Sequence, residues 1–402
     1  MLSKNQLIII SVVLAIFFHF IFYFRLYGPI NPLAFGSLIF ILALLSASIM
    51  IFIYLATYWR NDIKNSFALR VFDLLVLWIF ICFARSLLEM RQVSDMIPFL
   101  FYNYNGISLF PVLFFIVGLR ANYFRSVNQI LFSYIIVSTI ISLFFLNYFE
   151  LQIFLLMPIF YIILTIPLRS SWEKIFIIFI SISIVVVSIT NRAGILRILV
   201  SYSILLAVYL MQSLKVSKRL IQLLVVLVLM IPLVSLYMGI RGKSVFQIVL
   251  GEDDQPYSQL NPYADTRTFL YHEVFQDLKI NRAFVFGKGL NATYESEAFQ
   301  TFERPMVEVG FLQILMKTGI VGVLLYLLTI ISAIFRALGR SNSHYLKSLG
   351  LLLSGYVIML FLENIIAYNL LNVVIWIVVG MCHSKDLRSL NDREMKLLLS
   401  KT

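Results

Sequence analysis

Charge, cysteine and histidine are what this chain has least of. Charged residues fill 13% of its 402 positions and hydrophobic ones 61%, and the mean hydropathy is +0.92. A soluble domain carries about 25% charged residues, so a water-soluble fold is excluded. The two cysteines, Cys82 and Cys382, lie in apolar runs, which leaves no disulfide framework and no zinc site. The four histidines (His19, His272, His344, His383) are scattered and lack the spacing of a metal cluster. Gly287-Lys288-Gly289 reads as a turn, too short for a phosphate loop. The net charge of +12 fits nucleic acid by sign, but most of it lies in short loops on one side, which argues against that partner.

What is present is mostly hydrocarbon. Apolar runs of roughly 18–23 residues each match one crossing of a bilayer core about 30 Å thick. They do not alternate apolar with polar residues, which excludes a membrane β-barrel. The first run, 7–24, is too long for the core of a signal peptide, and no small-x-small cleavage site follows it. The expected fold is an all-α polytopic membrane protein with about twelve transmembrane helices. They fall near 7–24, 33–57, 69–88, 100–119, 130–147, 152–168, 175–190, 194–212, 221–239, 309–335, 348–362 and 370–383. Lys and Arg gather at the N-terminus, in 58–68, 120–129, 169–174, 213–220 and 336–347, and in the tail from Ser384. The opposite short loops hold only Arg25, Arg91 and Arg192. That asymmetry puts both termini in the cytoplasm. The chain then divides into nine spans (1–239), one long outer loop (240–307), three spans (308–383) and a basic cytoplasmic tail (384–402), read as a topology signal rather than a lipid-binding arm. Trp59 and Trp172 fall at expected interfaces.

The segment 240–307 is the only long polar stretch and holds nearly half of the 20 acidic residues. Asp265 is placed to cap a helix running to about Leu278. Leu270, Val274 and Leu278 recur at helical spacing, so this amphipathic helix should rest on the membrane or the bundle. Arg267 falls in its first turn, where the helix dipole disfavours a cation; a task other than helix stability is implied. At the loop's far end stands Glu303-Arg304-Pro305-Met306-Val307-Glu308. A helix continuing through both would put Arg304 and Glu308 on one face, and Pro305 suits a first helical turn. The pair reads either as a surface ion pair or as a cation and a carboxylate set for chemistry. Arg85, Arg197 and Lys317 fall inside spans, where charge is costly; Glu363 and Asn364 are available as partners. Glu252-Asp253-Asp254 reads as a solvated acidic turn. Tyr257, Tyr263, Tyr271 and Tyr294 are compatible with sugar stacking.

Glu308-Val-Gly-Phe-Leu-Gln-Ile-Leu-Met-Lys-Thr-Gly-Ile-Val-Gly322 resembles the stretch after the large periplasmic loop in bacterial O-antigen polymerases of the Wzy type and in O-antigen ligases. Ligases show His-Asn-x-Tyr-Leu there, followed by Gly-x-x-Gly. Here Glu308 takes the histidine position, while Leu312, Gly319 and Gly322 keep the rest. Asn191-Arg192-Ala193-Gly194 looks like the family's Ser-Arg-Gly turn, and Asp265-Thr266-Arg267 like its loop arginine. The missing histidine favours polymerase over ligase.

The resemblance implies a GT-C-like glycosyltransferase of the bacterial inner membrane. Its substrates would be glycans on undecaprenyl pyrophosphate, as donor and acceptor, joined at the periplasmic face. It implies membrane lipid, a chain-length regulator and a flippase as partners, no nucleic acid and no cofactor. Metal-dependent GT-C enzymes usually carry an acid in the first outer loop; residues 25–31 hold none, so metal independence is expected. Arginine forks suit a departing pyrophosphate, which gives Arg192, Arg267 and Arg304 that role, with Arg282, Lys288 and Lys317 as further cations. Glu308 is the expected base for the attacking sugar hydroxyl. A lone carboxylate argues against a glycosidase, which needs two. The competing readings are an O-antigen ligase and a lipid-linked oligosaccharide flippase or transporter; no half-to-half correspondence supports the latter.

Overall fold

Hydrocarbon offers the backbone no hydrogen bonds, so each apolar run must satisfy its own amides, and helices result. A computed structural model describes residues 3–27, 36–58, 67–90, 99, 104–145, 148–187, 192–240, 266–296 and 301–400. Its helices are α1 (Lys4–Tyr27), α2 (Gly36–Tyr58), α3 (Phe67–Glu89), α4 (Phe115–Leu119), α5 (Phe124–Phe144), α6 (Phe149–Leu155), α7 (Ile159–Leu164), α8 (Ser171–Val187), α9 (Arg192–Ser213) and α10 (Lys218–Ile240). Then come α11 (Thr266–Ile280), α12 (Gly310–Arg340), α13 (His344–Leu362), α14 (Leu370–His383), α15 (Lys385–Ser389) and α16 (Asp392–Ser400). A short antiparallel hairpin of β1 (Tyr294–Ser296) and β2 (Thr301–Arg304) sits between α11 and α12, pairing Tyr294 with Arg304.

Among the described residues six helices are long and apolar enough to cross a membrane: Asn5–Tyr27, Leu69–Glu89, Ala121–Phe144, Ile195–Ser213, Gly310–Arg340 and His344–Leu362. Shorter apolar helices accompany them at Ile41–Ala56, Phe110–Leu119, Arg219–Met230 and Leu370–His383. The chain is an all-α polytopic membrane protein.

Two expected spans are divided into separate short elements. In 100–119, turns at 104–109 lead into a 3-10 turn, Phe110–Phe114, that opens with Pro111 and hands over to α4. This short unit packs backbone to backbone on α14: a Cβ on Gly118 would strike the Ile377 carbonyl, and one on Gly380 the Phe115 carbonyl. The expected span 152–168 is split into α6, α7 and the 3-10 turn Ile166–Leu168. Pro158, which has no amide hydrogen to donate, stands at the break. All of α7 is nonetheless buried. Apolar content alone reads the same for a broken and an unbroken segment. Elsewhere α5 begins six residues before the expected 130.

The tail is more than a string of basic residues. α16 buries Met395 and Leu399. Asp392 accepts the His344 amide at 2.7 Å, and its other oxygen lies 2.5 Å from His344 Nδ1. The tail is therefore docked on the end of the bundle where α13 begins. Trp172 is exposed at the first turn of α8, as an interfacial ring requires; Trp59 lies outside the described residues.

Candidate functional site

The site is organised around a break in α12. At Gly319 the backbone leaves the helix (φ 68°, ψ −175°). The break deprives Ile320 and Val321 of their acceptors and the Met316 and Lys317 carbonyls of their donors. Residues 284–289 replace them all. The Ile320 amide donates to the Phe284 carbonyl at 3.0 Å and the Val321 amide to Val285 at 3.4 Å. The Met316 carbonyl accepts from the Lys288 amide at 2.8 Å, and the Lys317 carbonyl from Gly289 at 3.1 Å. Trp78 Nε1 takes the Thr318 carbonyl at 2.9 Å. Each bond matters because an unsatisfied amide in hydrocarbon costs several kcal/mol. The segment expected as a simple turn is thus a plug fitted into a helix.

Three cations fasten that plug. Arg85 donates to the Phe286 and Gly287 carbonyls at 3.1 and 3.0 Å, with Glu89 3.7 Å away. Lys288 pairs with Asp277 of α11 at 2.9 Å and donates to the Thr293 carbonyl. Lys317 is fully buried and donates to the Leu290 carbonyl at 2.9 Å and to the Tyr104 carbonyl. Lys317 is therefore clamped by main-chain carbonyls rather than paired with an acid. Arg282, the fourth basic residue here, is exposed with φ 52°.

Arg304 and Glu308 meet at 2.7 Å, but not on a helix. Arg304 ends β2 and α12 begins only at Gly310, so the expected helical start at Pro305 is wrong. Gln313 accounts for the difference. Its buried side chain accepts the Val307 amide at 2.7 Å and donates toward the Pro305 and Tyr104 carbonyls, holding 305–307 extended. Tyr294, opposite Arg304 in the hairpin, brings its hydroxyl to 3.5 Å from Arg304 Nη1. Burial pushes this phenol up to about 12, the Arg304 charge opposing, so it is a hydroxyl donor at neutral pH. Arg304 and Glu308 keep 19% and 34% of their side-chain surface exposed, enough to meet a ligand.

The surrounding helices converge at this end. Arg197 of α9 grips both Glu363 oxygens at 2.9 and 3.0 Å, and the Glu363 carbonyl accepts the Gly310 amide at 3.1 Å. The expected partner for Arg197 is thereby found. α11 buries Leu270, Val274 and Leu278 on the bundle, and the Tyr271 hydroxyl donates to the Phe361 carbonyl at 3.0 Å. These contacts bring the first turns of α9 and α11, with Arg192 and Arg267, to the end where α12 starts. The side chains of Arg192 and Arg267 lie outside the described residues, as do Asp265, Tyr257, Tyr263, the 252–254 acids and most of the first outer loop. Tyr271 and Tyr294 are buried, so neither ring offers a face for sugar stacking.

Beside the plug lies an apolar cavity of about 340 Å³, lined by Tyr271, His272, Phe275, Gln276, Lys279 and Phe284. Phe284, Val285 and Phe286 are all exposed at the level of Trp78, whose ring lies 5.8 Å from that of Phe286. This patch has the character of a surface that faces lipid chains. Among the described residues no three His, Cys, Asp or Glu side chains gather as metal ligands. Sequence reasoning missed Gln313, Arg85 as a plug fastener and the hairpin; the signal for the first two was a polar residue in an otherwise apolar span.

A polytopic α-helical bundle with an ordered polar segment seated on its end defines the class of protein. Residues 175–327, from α8 through the break in α12, match the family model described as O-Antigen ligase. Over this stretch the chain is related in sequence to O-antigen ligases and polymerases. Among curated proteins and solved structures, none matches it.

Proposed function

We propose that this chain is an O-antigen polymerase of the bacterial inner membrane. It joins repeat units carried on undecaprenyl pyrophosphate at the periplasmic face, with both termini cytoplasmic and 240–307 outside. The observation that carries this reading is the partly exposed Arg304–Glu308 pair at the mouth of α12, inside the family match, with a carboxylate where ligases carry histidine.

The chemistry follows from the residue types. The hydroxyl at the non-reducing end of the acceptor attacks the anomeric carbon of the donor glycan. The carbon–oxygen bond to the pyrophosphate breaks, and undecaprenyl pyrophosphate leaves with the bonding electrons. Glu308 accepts the hydroxyl proton and later releases it to water. Arg304, with Arg192 and Arg267, carries the departing charge; fixed guanidinium donors in a partly dry site stabilise a developing anion. The apolar cavity and the Phe284–Val285–Phe286 patch suit the isoprenoid chain. This scheme needs no metal.

The test is the lipopolysaccharide of a deletion strain. Loss of the polymer ladder with one repeat unit retained on the core supports polymerisation. Loss of every repeat unit from the core makes the chain a ligase, and an unchanged ladder removes both readings.

A further inference from the structure

The end of α12 opposite Glu308 carries a second concentration of positive charge. Ser332, Arg336 and Arg340 follow one another at four-residue steps and share one face of the helix. Arg388 of α15 runs along that face. Its carbonyl accepts the Asn342 amide at 3.1 Å, and its Nη2 donates to the His383 carbonyl at 3.5 Å. His383 in turn lies against the stripe, its Nε2 3.1 Å from the Ser332 hydroxyl. The Arg388 side chain therefore spans the length of helix that displays Arg336. Among the described residues no carboxylate pairs with Arg336, Arg340 or Arg388. One donor in this corner is buried and lacks a partner, Arg388 Nε.

We propose that Arg336, Arg340 and Arg388 form a binding site for a phosphate-bearing anion at the end of the bundle away from the glycan chemistry. A topology signal requires only that cations be on one side; solvated side chains satisfy it by spreading apart. Here two of the three are half-buried, and burial and the Arg340 charge both push the Arg388 guanidinium below its ordinary value. The helix dipole favours a cation in the last turn, which accounts for Arg340 but not for three guanidiniums together. Converging forks without a carboxylate match the oxygens of a phosphate. Two sources present that chemistry at a membrane edge: the headgroup of an anionic phospholipid and soluble phosphate.

The test uses the full chain purified in detergent. Thermal unfolding is followed while cardiolipin, phosphatidylglycerol, phosphatidylcholine or inorganic phosphate is titrated. The native protein should gain Tm with the anionic lipids and not with phosphatidylcholine. Arg340→Gln/Arg388→Gln should need at least about tenfold more anionic lipid for the same gain, the size expected for losing a charged hydrogen bond. Lys174→Gln/Lys215→Gln, which removes equal charge elsewhere, should respond as the native protein does. If the double variant folds poorly, Arg340→Gln alone, at an exposed position, should show a partial shift. A Tm gain from millimolar inorganic phosphate that the Arg340/Arg388 variant loses supports the site and names soluble phosphate as its source. Equal weakening in both double variants, or a native protein that responds to neither anionic lipid nor phosphate, overturns the proposal. None of these readouts depends on the polymerase reading.

Discussion

Gly287 and Gly319 face each other across the junction of the plug and α12, both in the left-handed region (φ 69° and 68°). A Cβ on Gly287 would fall 2.5 Å from the Gly319 nitrogen, and one on Gly319 would strike the Val285 carbonyl. The break in α12 exists because two backbones meet here with no side chain between them.

Gly319→Ala should therefore abolish the folded protein rather than tune it. Left-handed strain alone costs about 1–3 kcal/mol, and the collision is with backbone that cannot swing aside. Membrane-inserted yield and detergent Tm are the measurements. A stable, active Gly319→Ala variant would mean that the helix closes over the break.

Lys317→Met should lower Tm and loosen the plug. The substitution keeps the length of the side chain but leaves the Leu290 carbonyl without its Lys317 donor and the Tyr104 carbonyl with the longer Gln313 contact, at a cost of roughly 1–3 kcal/mol for a buried group left unpaired. Proteolysis within 283–293 should quicken in parallel. Unchanged protection there would show that the main-chain bonds hold the plug unaided.

Glu308→Gln keeps shape and hydrogen bonding to Arg304 but cannot take a proton. Near-complete loss of polymer with normal protein level is expected for a base, and partial retention in Glu308→Asp or Glu308→His would strengthen that role. Normal ladders from Glu308→Gln leave only the ion pair, which at this exposure contributes less than about 1 kcal/mol.

Arg267→Lys should lose most activity at unchanged membrane levels, since the point charge survives and the planar fork does not. Ladders of native length from this variant would show that charge alone suffices.

Much of this was legible from the sequence. The helix at Thr266–Ile280 was visible because Leu270, Val274 and Leu278 recur every four residues, close to one helical turn, and all three are buried. The Arg197–Glu363 pair was anticipated because isolated charges in hydrocarbon need partners. The Arg304–Glu308 contact was foreseen for a partly wrong reason, since four-residue spacing suggested a helix where a strand end and an extended turn bring the two together.

Hydrophobicity by itself determined that the chain enters a membrane, because apolar transfer depends on composition along a run and not on its path. Only the tertiary structure decided where those runs break. Pro158 and Gly319 permit a break, but permission is local. A broken helix in hydrocarbon survives only if distant groups take over its freed amides and carbonyls, and the identity of those groups, 284–289 against 316–321, is a long-range fact. The same reason hid Lys317 and Arg388: a cation's residue type is written in the chain, but whether it meets a carboxylate, a carbonyl or another cation depends on which helices pack together.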